Sequence, residues 1–389
     1  MADIKSLDLI KTLIAFDTTS RNSNLELIDW VCAYLKKHGV ESELVHDETG
    51  KKANLYATLG PKGPGGICLS GHTDVVPVDG QDWRTDPWKI VEKDGKLYGR
   101  GTCDMKSFVA IALAFVPEFL SRNLTTPVHL AFSYDEEVGC KGVRRLIDIL
   151  KDRPNKPSLC IVGEPTDMKV VRAHKGKKSW RCRVRGLESH SALAPRGVNA
   201  VEAAAELIAR WRQMGVAKRQ NGPFDKEFEV PYSTLHTGVV HGGTALNIVP
   251  KECHFDFEVR HLPIDEPEAL FGQLKEFAER ELIPAMHAVS PDTGIDWEVL
   301  SMIPGLDMAE DDDATAFVKG LTGQNSTGKV DFGTEAGLFQ KGGIPTLICG
   351  PGSIAEAHKP NEFVALDQIA LCEEMMRRLA DHVCRDRTT

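Results

Sequence analysis

Val128-His129-Leu130-Ala131-Phe132-Ser133-Tyr134-Asp135-Glu136-Glu137 is an apolar run that ends abruptly in three acids. A short run of this kind, without Gly or Pro, reads as a buried strand, so its acids stand just past the strand's carboxyl end. The arrangement recurs. Asn54 to Leu59 and Gly66 to Ser70 are strand-like, the second running into Gly71-His72-Thr73-Asp74, and Leu159 to Gly163 runs into Glu164-Pro165-Thr166. Helical patterns lie between them. Leu25, Ile28, Val31, Cys32 and Leu35 recur at helical spacing ahead of Gly39; Lys106 to Leu120 suits a buried helix, and Val143 to Leu150 another. Strand alternating with helix predicts an α/β domain with a mostly parallel sheet and helices on both faces. In such sheets ligands bind at the carboxyl ends of the strands. His72, Glu136, Glu137 and Glu164 all fall at that edge.

The character changes after Gly176. Ser179 to Val184 reads as a strand, Val198 to Met214 as a helix, Ser233 to Val240 and Glu252 to Val259 as strands, Pro267 to Leu282 as a helix and Trp297 to Leu300 as a last strand. This β-α-β-β-α-β order describes an α+β ferredoxin-like module. Past Ile303 the α/β pattern returns, with Ala314 to Leu321, Ala336 to Gln340, Pro345 to Cys349 and Leu366 to His382. The expected organisation is one catalytic domain, residues 1–176 and 296–389, interrupted by an insert at 177–295.

The 389 residues suffice for about two domains and a large core. A net charge of -9 argues against nucleic acid or an anionic membrane as partner. No apolar run is long enough for a membrane span. Met1-Ala2-Asp3-Ile4-Lys5 does not read as a secretory signal. The 10 cysteines include no CxxC pair, and several sit in strand-like runs as small buried hydrophobes. A reducing, cytoplasmic compartment is expected.

His72 and Asp74, two apart, share a face if the backbone is extended, so the Asp74 carboxylate can accept the imidazole's second N–H. Read alone, each candidate keeps an ordinary alternative. Asp104 could cap the helix that follows it, Glu136 and Glu137 could form a solvated turn, and Glu164, His190 and His358 could be loop residues. Arg260 could make a strand-end salt bridge and Glu335 a helix-start charge. Taken together, His and carboxylate groups at strand ends offer the N and O ligands that suit zinc and its neighbours.

Gly-His-Thr-Asp-Val-Val-Pro (71–77), Gly-Arg-Gly-Thr-Cys-Asp-Met-Lys (99–106), Asp-Glu-Glu (135–137), Gly-Glu-Pro-Thr (163–166) and Glu-Ala-His-Lys-Pro-Asn-Glu (356–362) resemble the di-metal amidohydrolases of the M20 peptidase family. The match spans nearly the whole chain, with Cys103 where many relatives carry a small residue. The resemblance implies two divalent metal ions per subunit, zinc by ligand type with cobalt as the alternative. It places His72 and Glu164 on one ion, Glu137 and His358 on the other, and Asp104 between them. Glu136 is implied as the general base that activates the water between the metals, and Asp74 as the orienter of His72. His190 is implied as oxyanion donor, reaching a partner subunit in a homodimer formed through the insert. Arg260 and Asn247 are expected to meet the substrate, and Glu335 to hold its side-chain ammonium.

Within the family the chain is most similar to members that deacetylate N2-acetyl-L-ornithine in arginine biosynthesis. The supporting stretches are Val171 to Gly176, Ser189 to Ala200, Gly242 to Pro250 and Phe332 to Gly337. Another N-acyl amino acid, succinyl-diaminopimelate or a dipeptide is the alternative substrate, and a non-catalytic binding protein the remote one.

Overall fold

The structure, a computed structural model, describes residues 4–385. Residues 1–3 and 386–389, and with them most of the amino-terminal stretch read above, lie outside the described residues. Two compact units emerge. One holds the chain up to Ala173, Leu306–Lys329 and the chain from Thr334; the other holds His174–Gly305 and Val330–Gly333.

The strands of the two larger sheets, in chain order, begin with β1 (Ser42–His46), β2 (Ala53–Leu59), β3 (Ile67–His72), β4 (Val128–Ser133), β5 (Leu159–Val162) and β6 (Val170–His174). Then come β7 (Gly176–Arg185), β8 (Thr234–Gly242), β9 (Glu252–His261) and β10 (Gly294–Ile303), followed by β11 (Leu306–Asp307), β12 (Thr327–Val330) and β13 (Thr346–Ile348). The nine-stranded sheet of the first unit has the order β1-β2-β4-β3-β5-β13-β6-β11, with β12 also on β6. Its centre, β4-β3-β5-β13, is parallel. Antiparallel pairs β1-β2, β2-β4 and β13-β6 flank it. β3, β4 and β5 are buried along their whole length, as strands covered on both faces are.

The register sets the site. His72 lies opposite Ser133, and Ser70 opposite Val162, so the loops after β3, β4 and β5 leave one edge side by side. Helix α1 (Leu7–Ile14) packs on α3 (Lys106–Ala114), which also packs on β3; α2 (Leu25–Lys37) packs on β1 and β2. Every residue of α3 is buried. The stretch expected as one helix to Leu120 breaks at Phe115, because Pro117 opens a new helix, Val116–Ser121.

In the second unit β7, α4 (Ala200–Asn221), β8, β9, α5 (Pro267–Phe277) and β10 follow the β-α-β-β-α-β order, with sheet order β8-β9-β7-β10. β7 and β9 alternate buried and more exposed residues, as a one-sided antiparallel sheet requires. Its buried face packs Trp180, Phe255 and Phe257 with Leu207 and Trp211 of α4 and Leu274 of α5. The helix expected through Leu282 widens at Ala278–Leu282 before α6 (Ile283–Val289), where Pro284 supplies no N–H to the ladder.

Candidate metal centre

His72 closes β3 and is 1% exposed. Its Nδ1 lies 2.8 Å from the backbone oxygen of Asp74, which makes Nδ1 the donor and turns the Nε2 lone pair into the site. The expected carboxylate partner is therefore replaced by Asp74's own carbonyl, the carboxylate standing 3.6 Å away. The Asp74 carboxylate instead accepts from Ser20 Oγ (2.7 Å) and from the backbone N–H groups of Glu136 (3.0 Å) and Glu137 (3.3 Å). It shapes the acid turn after β4. Asp135, at a φ of 54°, is held in that turn by Lys52.

Asp104 does not cap α3, whose N-cap position is Met105. Its Oδ1 faces His72 Nε2 at 2.9 Å and its Oδ2 faces His358 Nε2 at 3.2 Å. His72 Nε2 also lies 3.8 Å from Glu164 Oε1, and His358 Nε2 lies 3.0 Å from Glu137 Oε2. Glu164 reaches this point because Gly163 presses against Phe108 of α3, where an added Cβ would stand 2.0 Å from the ring. The His358 side chain is 53% exposed and Asp104 and Glu137 only 7%, so the cluster opens on the His358 side.

The electrostatics call for cations. Asp74, Asp104, Glu136, Glu137 and Glu164 crowd around two imidazoles. Burial pushes Glu136 up to about 8 and Glu137 up to about 7, although part of each residue reaches solvent, and it raises Glu164 well above its usual range. Asp104 and Glu137 hydrogen bonds hold His358 up at about 10. Burial works against protonation of His72, but Asp104 raises it well above the usual imidazole value. Burial also acts to raise Asp104, yet hydrogen bonds from His358 and His72 keep it below its usual range. Two groups of donors, His72 with Glu136 and Glu164, and His72 with Asp104 and Glu137, have ligand atoms within 4.8 Å of one another. Buried acids converging on imidazole lone pairs fit a pair of divalent cations. Glu136 lies as close as a ligand would, but its Oε1 takes the Cys140 thiol at 3.1 Å.

Glu335 departs from expectation. It is 0% exposed at the N-cap position of the helix Ala336–Lys341, and both oxygens are engaged, Oε1 by Ser70 Oγ (2.7 Å) and Oε2 by Ser133 Oγ (2.8 Å). It ties β3 to β4 beneath the site and has no open face for a substrate ammonium.

His190, Asn247 and Arg260 belong to the second unit. His190 is exposed, and its Nδ1 accepts the Ala192 N–H at 3.1 Å, so a neutral ring carries its hydrogen on Nε2. Asn247 is its neighbour, its carbonyl accepting the Ser191 N–H at 2.9 Å. Arg260 Nε donates to Glu258 at 3.1 Å. Sequence reasoning missed Ser20, Lys52 and Cys140, whose partners lie 54, 83 and 4 residues away and carry no local signal beyond residue type.

The sequence profile of peptidase family M20/M25/M40 matches residues 68–382. The chain is 35% identical over 376 residues to an acetylornithine deacetylase of Photorhabdus laumondii, covering 96% of this chain and 94% of that one. It is 34% identical over 383 residues to an acetylornithine deacetylase of Myxococcus xanthus, covering 96% of each. Among solved structures, aminopeptidase PepT from Bacillus cereus shares the fold with a TM-score of 0.73 at 23% identity, covering 97% of this chain and 98% of that one. An M20 family metallo-carboxypeptidase from Sulfolobus solfataricus does so with a TM-score of 0.74 at 18% identity, covering 96% and 98%.

Proposed function

The chain belongs to peptidase family M20/M25/M40, and from that premise we propose that it is a metal-dependent amide hydrolase that cleaves N2-acetyl-L-ornithine to L-ornithine and acetate in arginine biosynthesis. The observation that carries the reaction class is the convergence of His72, Asp104, Glu137, Glu164 and His358 at one sheet edge. The substrate rests on deacetylase relatives at 34–35% identity over nearly the whole chain.

His72 and Glu164 would hold one ion, Glu137 and His358 the other, with Asp104 shared. Zinc suits these donors by ligand type, with cobalt as the alternative. Such ions supply Lewis acidity to the amide carbonyl and make water acidic enough to ionise near neutral pH. Glu136 takes the proton of the attacking water and passes it to the leaving amine. Cys140 occupies Glu136 Oε1, which leaves Oε2 for that work. Asp74 keeps Glu136 and Glu137 in place through their N–H groups. His190 would offer its Nε2–H to the developing oxyanion in the partner subunit's site, a contact worth about 2.7–4 kcal/mol of barrier. The Arg260 fork suits the substrate carboxylate, with Asn247 as a second polar contact. A homodimer through the inserted unit and a cytoplasmic location complete the proposal.

The test is a panel of initial rates with added zinc or cobalt on N2-acetyl-ornithine, N-acetyl-methionine, N-succinyl-diaminopimelate and a dipeptide. Strong preference for acetyl-ornithine is expected. Preference for another member keeps the machinery and overturns the substrate. No turnover with metal bound points to a non-catalytic binding role.

A further inference from the structure

The most deeply buried ion pair beside the metal centre has no part in the chemistry above. Arg100 and Glu362 are each 1% exposed and meet at 2.6 Å. The other oxygen of Glu362 accepts the backbone N–H groups of Cys103 (2.8 Å) and Asp104 (3.1 Å). Arg100 also donates to the side-chain oxygen of Gln81 and, at 3.4 Å, to the carbonyl of Lys359. Gln81 in turn donates from Nε2 to the carbonyl of His358 at 2.9 Å. An unbroken run of polar contacts therefore links the backbone of Asp104 to the backbone of His358.

The His358 loop has reason to need holding. His358 and Asn361 sit at φ values of 63° and 61°, the left-handed region that side-chain-bearing residues disfavour. Asn361 is gripped as well, its Oδ1 accepting the Arg84 N–H at 2.8 Å and its Nδ2 donating to the Asp82 carbonyl at 3.3 Å. A fully buried ion pair is weak support for stability by itself, because desolvation offsets most of the attraction. Groups behind metal ligands set ligand orientation and affinity instead.

We infer that Glu362, Arg100 and Gln81 are positioning residues, a brace that presets Asp104 against His358 so that the ion shared with Glu137 binds without first ordering the loop. The inference rests on the two-metal reading.

Zinc titration of chelator-treated protein against a competing chromophoric chelator tests it, with thermal unfolding of the metal-free protein alongside. Wild type is expected to bind two equivalents. In Gln81→Ala the first equivalent should bind as in wild type and the second about 10- to 100-fold more weakly, whereas Glu362→Gln, which loosens the Asp104 shared by both ions, should weaken both. Gln81 is only partly buried, so its variant carries the test if Glu362→Gln does not fold. Wild-type affinity for both ions in Gln81→Ala overturns the brace. So does, in that same variant, equal weakening of both ions together with a lower metal-free melting temperature, the mark of a purely structural role. Fewer than two equivalents in wild type would remove the two-metal reading itself, and the brace with it.

Discussion

The two units handle charge in opposite ways. On the open face of the second unit's sheet, Arg181 pairs with Asp256 at 2.7 Å, Arg183 with Glu298 at 3.0 Å and Arg185 with Asp296 at 3.0 Å, each across neighbouring strands. Its core is apolar, a stack of Trp180 on Phe257 and Phe271 with Trp211 edge-on. At the edge of the first unit's sheet, Asp104, Glu137 and Glu164 stand together, and the imidazoles of His72 and His358 meet them. On that face of the second unit each of these charges meets its opposite within the fold. The first carries a local excess of negative charge that bound cations would relieve, which is how a binding site differs from a charged surface.

Substitutions and pH should break that comparison at different strengths. The largest effect is expected from Glu136→Gln, which should lower kcat by about 10²- to 10⁴-fold while metal content stays near that of wild type; retained activity would remove Glu136 as the base. Next comes His190→Ala, expected to lower kcat by about 10²- to 10³-fold with no change in metal affinity. Loss of metal together with activity in that variant would place His190 among the ligands.

The third effect concerns stability without metal. Glu136 and Glu137 have pKa values raised in the folded state, so the unfolded chain ionises first and stability should fall from about pH 4.5 through about 7 to 8. His358, also raised, stabilises fully below about 6.5 and loses that contribution towards about 10, in the same direction. In the second unit the Arg181 hydrogen bond lowers Asp256, whose contribution is present above 3.8 and fades as pH falls below it. Calorimetry of chelator-treated protein should therefore find the first unit weakening with rising pH and the second with falling pH; parallel trends would contradict the comparison. The smallest effect is expected from Arg183→Ala, an exposed pair whose loss should leave metal-free melting unchanged.

Much of this was legible in the chain. Apolar runs ending in Gly, His or acids located β3, β4 and β5, and the parallel order then gathers His72, Glu137 and Glu164 without further information. β1 and β6 were not legible as strands, since Ser42–His46 is half polar and Val170–His174 was read only as part of a longer motif. Asp74 and Glu335 show the other limit. Asp74 turns its carboxylate to amides 62 and 63 residues away, and Glu335 reaches serines 265 and 202 residues away. Local periodicity encodes which face a residue occupies, whereas such partners are set by how distant strands come to lie side by side.

The most direct test is chelation followed by metal return, with metal content and N2-acetyl-L-ornithine hydrolysis measured on the same samples. Activity should vanish as metal is stripped and return in step with bound zinc, reaching its plateau near two equivalents per chain. Full hydrolysis by protein shown to be metal-free would contradict the central claim.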